Sequence, residues 1–292
     1  MNNKKISNGI YFATAGSVWW GVLGTYFFQY ISYAGAIEVV LHRSFWTFII
    51  LFITTIYLKK WSIIKQILLN KKKIFILFIT SILIFSNWAT WIYAVSTERI
   101  IDASYGYFIF PIINIFFGFL FFKEKLNKKR ILSIIIVIIS SIYLLLNFTS
   151  FPWVGFLVAI FWSVYNLLRK KIDVDTDIGL FIESIIILPF VIVSFYFLFK
   201  YNYNDFTLSD PKGMLMLFLA GPMTVIPLFL YIKGLENAGL STSGMIFFIT
   251  PTSQFLLGYF YFNESFSVEK FISFIFIWIA VFIYMRDLYE NN

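Results

Sequence analysis

Long apolar stretches alternate with short polar connections along the whole chain. Each stretch is close to the roughly 20 residues that an α-helix needs to cross the hydrocarbon core of a bilayer. The pattern therefore predicts an all-α fold, a polytopic integral membrane protein with ten transmembrane helices. The predicted spans cover approximately residues 8–31, 37–58, 73–96, 102–122, 129–147, 152–169, 178–199, 213–234, 242–262 and 267–286.

Two of these spans belong to an internal repeat. Residues 102–124 and 242–264 align without a gap, because every matched pair is 140 positions apart. The matched pairs are Asp102 with Thr242, Pro111 with Pro251, Asn114 with Gln254, Gly118 with Gly258, and Glu124 with Glu264. Such an internal match indicates a duplicated unit. We therefore predict two five-helix repeats, residues 1–148 and residues 149–292.

The odd number of helices in each unit has a geometrical consequence. After five crossings the second copy must enter the membrane in the opposite direction, so the repeats are predicted to be inverted. Inverted repeats place a site at their interface near the membrane midplane, where it can open to either side. A stripe of small residues, which favours close helix packing in lipid, also repeats: Gly9, Ala13 and Ser17 correspond to Gly155, Ala159 and Ser163.

Composition agrees with a membrane protein. The 292 residues are 60% hydrophobic and 13% charged, whereas soluble domains are roughly a quarter charged. The net charge of +8 comes from short lysine clusters between spans, which is a topology signal and does not indicate nucleic acid. Cysteine is absent, which excludes disulfides and thiolate metal sites. The first apolar run is too long for a signal peptide, so we keep it as a helix.

The basic residues also predict the orientation. Arg99, Lys200, Lys212 and Lys270 fall on one predicted side and Arg43 falls inside a span. All other lysines and arginines fall on the opposite side. Since basic loops stay in the cytoplasm, both termini are predicted to be cytoplasmic.

The repeated prolines mark the first candidate site. Pro111 and Pro251 are predicted to break their helices near the bilayer centre, because proline removes a backbone hydrogen bond. Tyr107 and Asn114 would share a face with Pro111, as Gln254 would with Pro251. The two amides suit a polar ligand, or they bond neighbouring helices; both interpretations stay open.

Aromatic residues near the middle of spans supply further ligand candidates. They are Trp20, Trp88, Trp91, Trp162 and Tyr165. Their rings could stack on a flat or cationic ligand. Packing and interfacial anchoring are the commoner reasons for such residues.

Ionisable residues inside spans are candidates for gating or ion pairing, because charge in a bilayer is expensive. His42 lies four residues after Glu38, so the two could pair, but for Glu38 we favour the alternative of a first-turn carboxylate at the outer interface. Glu183 lies about 8 Å into its span from the cytoplasmic end. Proton coupling is left open, since these groups could titrate.

Arg43 is the basic residue assigned to a span interior. We expect it to pair with a carboxylate near the outer surface, at Asp102, Glu98 or Glu264. Capture of an anionic substrate group is the alternative. A third interpretation is that the Arg43 side chain extends outward and places its charge in water.

Enzyme motifs are missing from the sequence. With one histidine, no two-histidine metal motif can occur, and neither a phosphate-cradling loop nor a nucleophile elbow is present. No cofactor or metal is therefore expected. Transport driven by ATP on this chain alone is disfavoured.

Several stretches resemble the RarD branch of the EamA-type drug/metabolite transporters. They are Leu-His-Arg-Ser-Phe-Trp (41–46), Ser-Asn-Trp (86–88), Ala-Ser-Tyr-Gly-Tyr-Phe-Ile-Phe-Pro-Ile-Ile-Asn (103–114), Phe-Ile-Glu-Ser (181–184) with Leu188-Pro189, and Phe-Ile-Phe-Ile-Trp (274–278). The resemblance implies ten helices in two inverted repeats, a central cavity and a bacterial inner-membrane location. It implies no binding-residue set that can be carried over.

We therefore predict a secondary transporter that moves a small polar metabolite or drug-like molecule by alternating access. Its expected partners are that molecule, the lipid bilayer and, as an open question, protons. A homodimer is also left open. The alternative function is a non-transporting membrane sensor or assembly partner, which would have no need of inverted repeats.

Overall fold

The computed structural model describes residues 3–97, 99–148, 150–261 and 268–290. These residues form helices α1 to α13 and, within the described ranges, no strand. The helices are α1 (Asn3–Val18), α2 (Thr25–Tyr30), α3 (Ala36–Leu58), α4 (Trp61–Leu69), α5 (Lys71–Ser96), α6 (Ile100–Phe122), α7 (Lys128–Leu146), α8 (Trp153–Lys171), α9 (Thr176–Lys200), α10 (Pro211–Ala238), α11 (Leu240–Phe247), α12 (Ile249–Phe260) and α13 (Val268–Glu290). A π-helical turn, Trp19–Gly24, joins α1 to α2.

The helices confirm an all-α polytopic membrane protein. Seven of the described helices, counting α5 and α6 by their apolar parts, are long and apolar enough to cross a membrane. They are α3, α5, α6, α7, α9, α10 and α13. The three remaining predicted spans coincide with α1 and α2 together, with α8, and with α11 and α12 together. The total of ten crossings stays a prediction.

One helix was not expected from the sequence. We treated the basic segment after residue 58 as a loop, but it contains α4. Lys59 adopts a left-handed backbone with φ of 53° and ends α3, and α4 then buries Ile64 and Ile67 on one side. Nine residues are too few to span a bilayer, so the span pattern carries no signal for this amphipathic helix.

The two repeated prolines behave differently. α6 continues through Pro111 without interruption, so the predicted break at that residue is wrong. In the second copy the helix is interrupted at Phe248, between α11 and α12. The preceding residue, Phe247, is the one whose carbonyl Pro251 leaves without its helical partner.

The fifth helices of the two predicted repeats pack antiparallel. Near the N-terminus of α7, Asn127 donates to both carboxylate oxygens of Asp287, each at 2.7 Å, near the C-terminus of α13. Further along α7, the Ser140 hydroxyl donates to the Ser273 carbonyl at 2.9 Å. Inverted copies require opposite directions of this kind.

Equivalent positions of the two repeats also meet in space. The rings of Tyr107 and Phe247, which the alignment matches, lie 5.8 Å apart between centroids. The Thr250 hydroxyl donates to the Ser17 carbonyl at 3.0 Å, and the Ser163 hydroxyl donates to the Phe110 carbonyl at 3.4 Å. These last two contacts are equivalents of each other in the two repeats, since Ser17 corresponds to Ser163 and Thr250 corresponds to Phe110.

Small residues bring helix backbones together across the repeats. A Cβ added to Gly234 of α10 would lie 2.5 Å from the Ala13 nitrogen of α1, and one added to Gly9 would lie 2.5 Å from the Ala238 nitrogen. No L side chain larger than glycine fits without moving a backbone. The stripe on α1 thus acts in packing against the other predicted repeat.

The predicted orientation can be tested with single cysteines, because the chain has none. Cysteines replacing Lys65 and Lys128 should react with a membrane-impermeant thiol reagent only from the cytoplasmic side. Cysteines replacing Asn147 and Lys270 should react only from the opposite side. Labelling of positions 128 and 147 from one side would contradict the topology, since these residues lie at opposite ends of α7.

Candidate functional site

A cavity lies between α3 and α5 of the first predicted repeat and α9 and α10 of the second. Its volume is about 30 Å³ in this conformation, which is room for only a few water molecules. Most of its wall is aliphatic, and the remainder is polar or aromatic. The lining residues are Ile84, Leu180, Ile187, Leu188, Val191 and Leu228, together with Ser44, Thr47, Trp88, Glu183 and Ser184. A small molecule with an apolar body and few polar groups suits such a wall.

Glu183 is the carboxylate on this wall, and it is buried. The Thr80 hydroxyl of α5 donates to its Oε1 at 2.6 Å, and the Tyr165 hydroxyl of α8 donates to its Oε2 at 3.1 Å. Arg169 Nη1 lies 3.8 Å from Oε1. The buried charge is therefore held by groups from two other helices, one from each predicted repeat.

Arg169 was missed as a site residue, because its place in the last turn of a span suggested a cytoplasmic position. The side chain is fully buried. Its Nη2 donates to the Thr176 carbonyl at 3.3 Å and lies 3.9 Å from Glu236 Oε1. Gly179 provides the space, since a Cβ there would collide with the guanidinium. That glycine, one turn before Glu183, was the available sequence signal.

Arg43 is buried without the carboxylate that we expected. Its Nε donates to the Thr224 hydroxyl at 3.1 Å. The guanidinium carbon lies 4.6 Å from the ring centroid of Trp88 and 5.0 Å from that of Phe28. Among the described residues no carboxylate pairs with Arg43, so the expected pair with Asp102 is not formed, whereas pairing with Glu98 or Glu264 stays a prediction.

The proposed carboxylate partners of Arg43 lie elsewhere. Asp102 accepts from the Gly155 backbone at 3.0 Å, near the start of α8, and lies 3.7 Å from Arg99 Nη1. It therefore acts at the end of a neighbouring helix. Glu98 and Glu264 lie outside the described residues.

Glu38, in the first turn of α3, fastens the loop between α9 and α10, and His42 lies next to it. His42 Nε2 lies 3.6 Å from Glu38 Oε1, and Nδ1 accepts from the Trp46 indole at 3.2 Å. Glu38 also accepts from the backbone nitrogens of Asp205, at 2.8 Å, and of Phe206, at 3.0 Å. These contacts hold the connection between α9 and α10 against α3.

Most of the predicted aromatic candidates form a packed cluster beside the cavity. The Trp162 ring stacks on Tyr165 at 5.3 Å and contacts Trp20 at 5.6 Å. Tyr107 contacts Trp91 at 5.4 Å. Among the described lining residues, Trp88 is the one predicted aromatic candidate on the cavity wall, so the others have packing contacts here.

The two matched amides have different surroundings. Asn114 is fully buried, and neither its Oδ1 nor its Nδ2 has a hydrogen-bond partner among the described residues. Asn166 is in the same condition on α8. Gln254 is partly exposed. The choice between ligand contact and interhelical bonding stays a prediction for both matched residues.

Comparison with known proteins identifies the family of the chain. The sequence pattern of the EamA-like transporter family matches residues 7–146 and again residues 151–286. The chain belongs to the EamA-like transporter family. It is therefore a multi-pass membrane protein of a bacterial transporter family, and the resemblance to RarD proteins is confirmed.

The full length of the chain resembles RarD and related proteins of this family. It is 31% identical to Protein RarD of Escherichia coli over 287 residues, which cover 98% of this chain and 97% of that protein. It is 31% identical to the uncharacterized transporter YojE of Bacillus subtilis, over 97% of this chain and 95% of that protein. These names indicate a transporter and not an enzyme.

A solved crystal structure of a protein has the same fold. It superposes with a TM-score of 0.71 at 12% identity, over 94% of this chain and 96% of the other. At this identity the similarity concerns the helical architecture alone.

The Arg169–Glu183 pair of this family member can be tested by a double-mutant cycle. Arg169→Gln should lower the melting temperature strongly, because breaking a buried pair costs roughly 3–5 kcal/mol. Adding Glu183→Gln should restore part of the loss, since the uncompensated charge is gone. The measurement is thermal unfolding of purified protein in detergent.

Arg286→Gln is the matched control, because Arg286 pairs with Glu290 at an exposed position. Exposed pairs contribute about 0–1 kcal/mol, so the control should change the melting temperature little. Strictly additive losses for Arg169→Gln and Glu183→Gln would show that the two charges do not depend on each other.

Proposed function

We propose that the chain is a secondary transporter, which moves a small polar metabolite or drug-like molecule across the bacterial inner membrane by alternating access. The observation that carries the proposal is the cavity between α3 and α5 on one side and α9 and α10 on the other. Each predicted repeat contributes two of its helices, so a relative movement of the repeats would change access to the space.

The inverted arrangement of the repeats supports this mechanism. The family pattern matches the chain in two separate segments, and α7 and α13 pack antiparallel. When two inverted units exchange conformations, an opening on one membrane face becomes an opening on the other. A sensor or assembly partner would gain nothing from that property.

A proton-coupled cycle would use Glu183. This carboxylate lines the cavity, is buried and accepts hydroxyl hydrogen bonds from Thr80 and Tyr165. Protonation would weaken its attraction to Arg169 and so loosen the contact between α8 and α9. Substrate binding and proton binding would then act on the same wall.

The inner-membrane location with cytoplasmic termini rests on the basic residues. Lys59 and Lys60 precede α4, and Lys71, Lys72 and Lys73 begin α5. Such clusters favour the cytoplasmic side.

Transport can be tested with purified protein in liposomes. A thermal-shift screen over amino acids, nucleosides, polyamines and antibiotics would select ligands, and radiolabelled hits would then be followed in counterflow. We expect uptake above protein-free liposomes. Ser184→Trp, which fills the cavity from α9, should reduce uptake at least about tenfold.

Val193→Trp is the matched control on the same helix, because Val193 is 55% exposed on the lipid-facing side. It should transport normally. Ligand binding without uptake of any hit would contradict the transporter and favour the membrane sensor.

A further inference from the structure

We propose that Arg43, Thr224, Trp88 and Phe28 form a subsite for the carboxylate of the transported molecule. The substrate is then a small organic acid with an apolar body. This inference rests on the proposed function, because it names the substrate class of the same cavity. Four observations carry it.

The first observation is the free hydrogen-bonding capacity of the guanidinium. Nε is used by the Thr224 hydroxyl, and Thr224 in turn donates to the Ala220 carbonyl at 2.7 Å. The terminal nitrogens of Arg43 have no hydrogen-bond partner among the described residues. A guanidinium presents parallel N–H groups that match the two oxygens of a carboxylate.

The second observation is a contrast inside the chain. Arg169 is buried and lies within 4 Å of two carboxylates, those of Glu183 and Glu236. Arg43 is 9% exposed, yet the contacts of its guanidinium in the described structure are two aromatic rings and one hydroxyl. Because a buried charge is costly without an opposite charge, Arg43 has the properties of a group whose counter-ion arrives with a ligand.

The third observation excludes a simple outward-reaching arginine. Arg43 lies about 10 Å along α3 from Ala36, at 1.5 Å per residue. A snorkelling side chain would carry its charge into water. Here the guanidinium instead contacts the rings of Trp88 and Phe28, at 4.6 and 5.0 Å. Those contacts keep the charge in the protein interior.

The fourth observation connects the arginine to the cavity. Arg43 itself is not among the lining residues, but Trp88 is, and the guanidinium lies against the Trp88 ring. Ser44, the next residue after Arg43, also lines the cavity, and its buried hydroxyl has no hydrogen-bond partner in the described structure. The aliphatic remainder of the wall has the chemistry to contact an apolar body attached to the acid once the helices move apart to admit it.

The test compares acids with amides of nearly the same shape. The probes are phenylacetate with phenylacetamide and 4-phenylbutyrate with 4-phenylbutyramide, at pH 7.4, with purified full-length protein in detergent. Binding is measured as the shift in melting temperature with ligand concentration. We expect the acids to bind at least tenfold more tightly than their amides.

Variants then assign the preference to Arg43. Arg43→Gln should remove the preference for the acid, and Arg43→Lys should weaken acid binding several-fold, because lysine keeps the charge but loses the planar fork. Arg99→Gln is the matched control: Arg99 also lies over an indole ring, that of Trp153 at 5.5 Å, but it is not part of the cavity wall. It should leave the preference unchanged.

The outcomes separate this inference from the proposed function. Equal binding of acids and amides, no shift with any acid, or an intact preference in Arg43→Gln would overturn the carboxylate subsite. If Arg43→Gln fails to fold, the Arg43→Lys series decides, and an unchanged preference there counts against the inference. Acid binding without uptake in liposomes would instead contradict transport, while uptake of neutral hits only would contradict the subsite alone.

Discussion

Burial of charge is the constraint on which this structure depends. In lipid no water compensates an interior charge, so the protein must supply the partner. The Glu183 carboxylate meets this requirement with Thr80 of α5 and with Tyr165 and Arg169 of α8. Arg169 in turn approaches Glu236 of α10. One ion-pair network thus joins four helices, three from the second predicted repeat and one from the first, and it forms part of the cavity wall.

The two predicted repeats have unequal conformations in this structure. α6 is continuous through Pro111, whereas its counterpart is interrupted at Phe248 and resumes as α12. The two matched amides also differ, since Asn114 is buried and Gln254 is partly exposed. In the proposed alternating-access cycle, the two halves would share a sequence pattern and exchange such conformations.

Sequence reasoning was reliable where hydrophobic burial alone decides. The span pattern located each long helix. Sequence reasoning failed where a single polar contact decides the position of a side chain. Arg169 looked like a cytoplasmic charge, and its burial depends on the absence of a side chain at Gly179. Glu124 showed no role in the sequence, yet it accepts from the backbone of Leu240 and Ser241 at 2.8 and 2.9 Å. α6 is continuous at Pro111, whereas local propensity predicts a break at a proline inside a helix.

The central claim is that one cavity between the predicted repeats is reached from either membrane face. Ser44→Cys tests it most directly, because Ser44 lines the cavity and the chain contains no other cysteine. An impermeant thiol reagent would be applied to right-side-out and to inside-out vesicles, with Ile139→Cys as the lipid-facing control, since Ile139 is 58% exposed. The account predicts that position 44 reacts in both vesicle types and position 139 in neither. Reaction of position 44 from one side only, under every ligand condition, would contradict it.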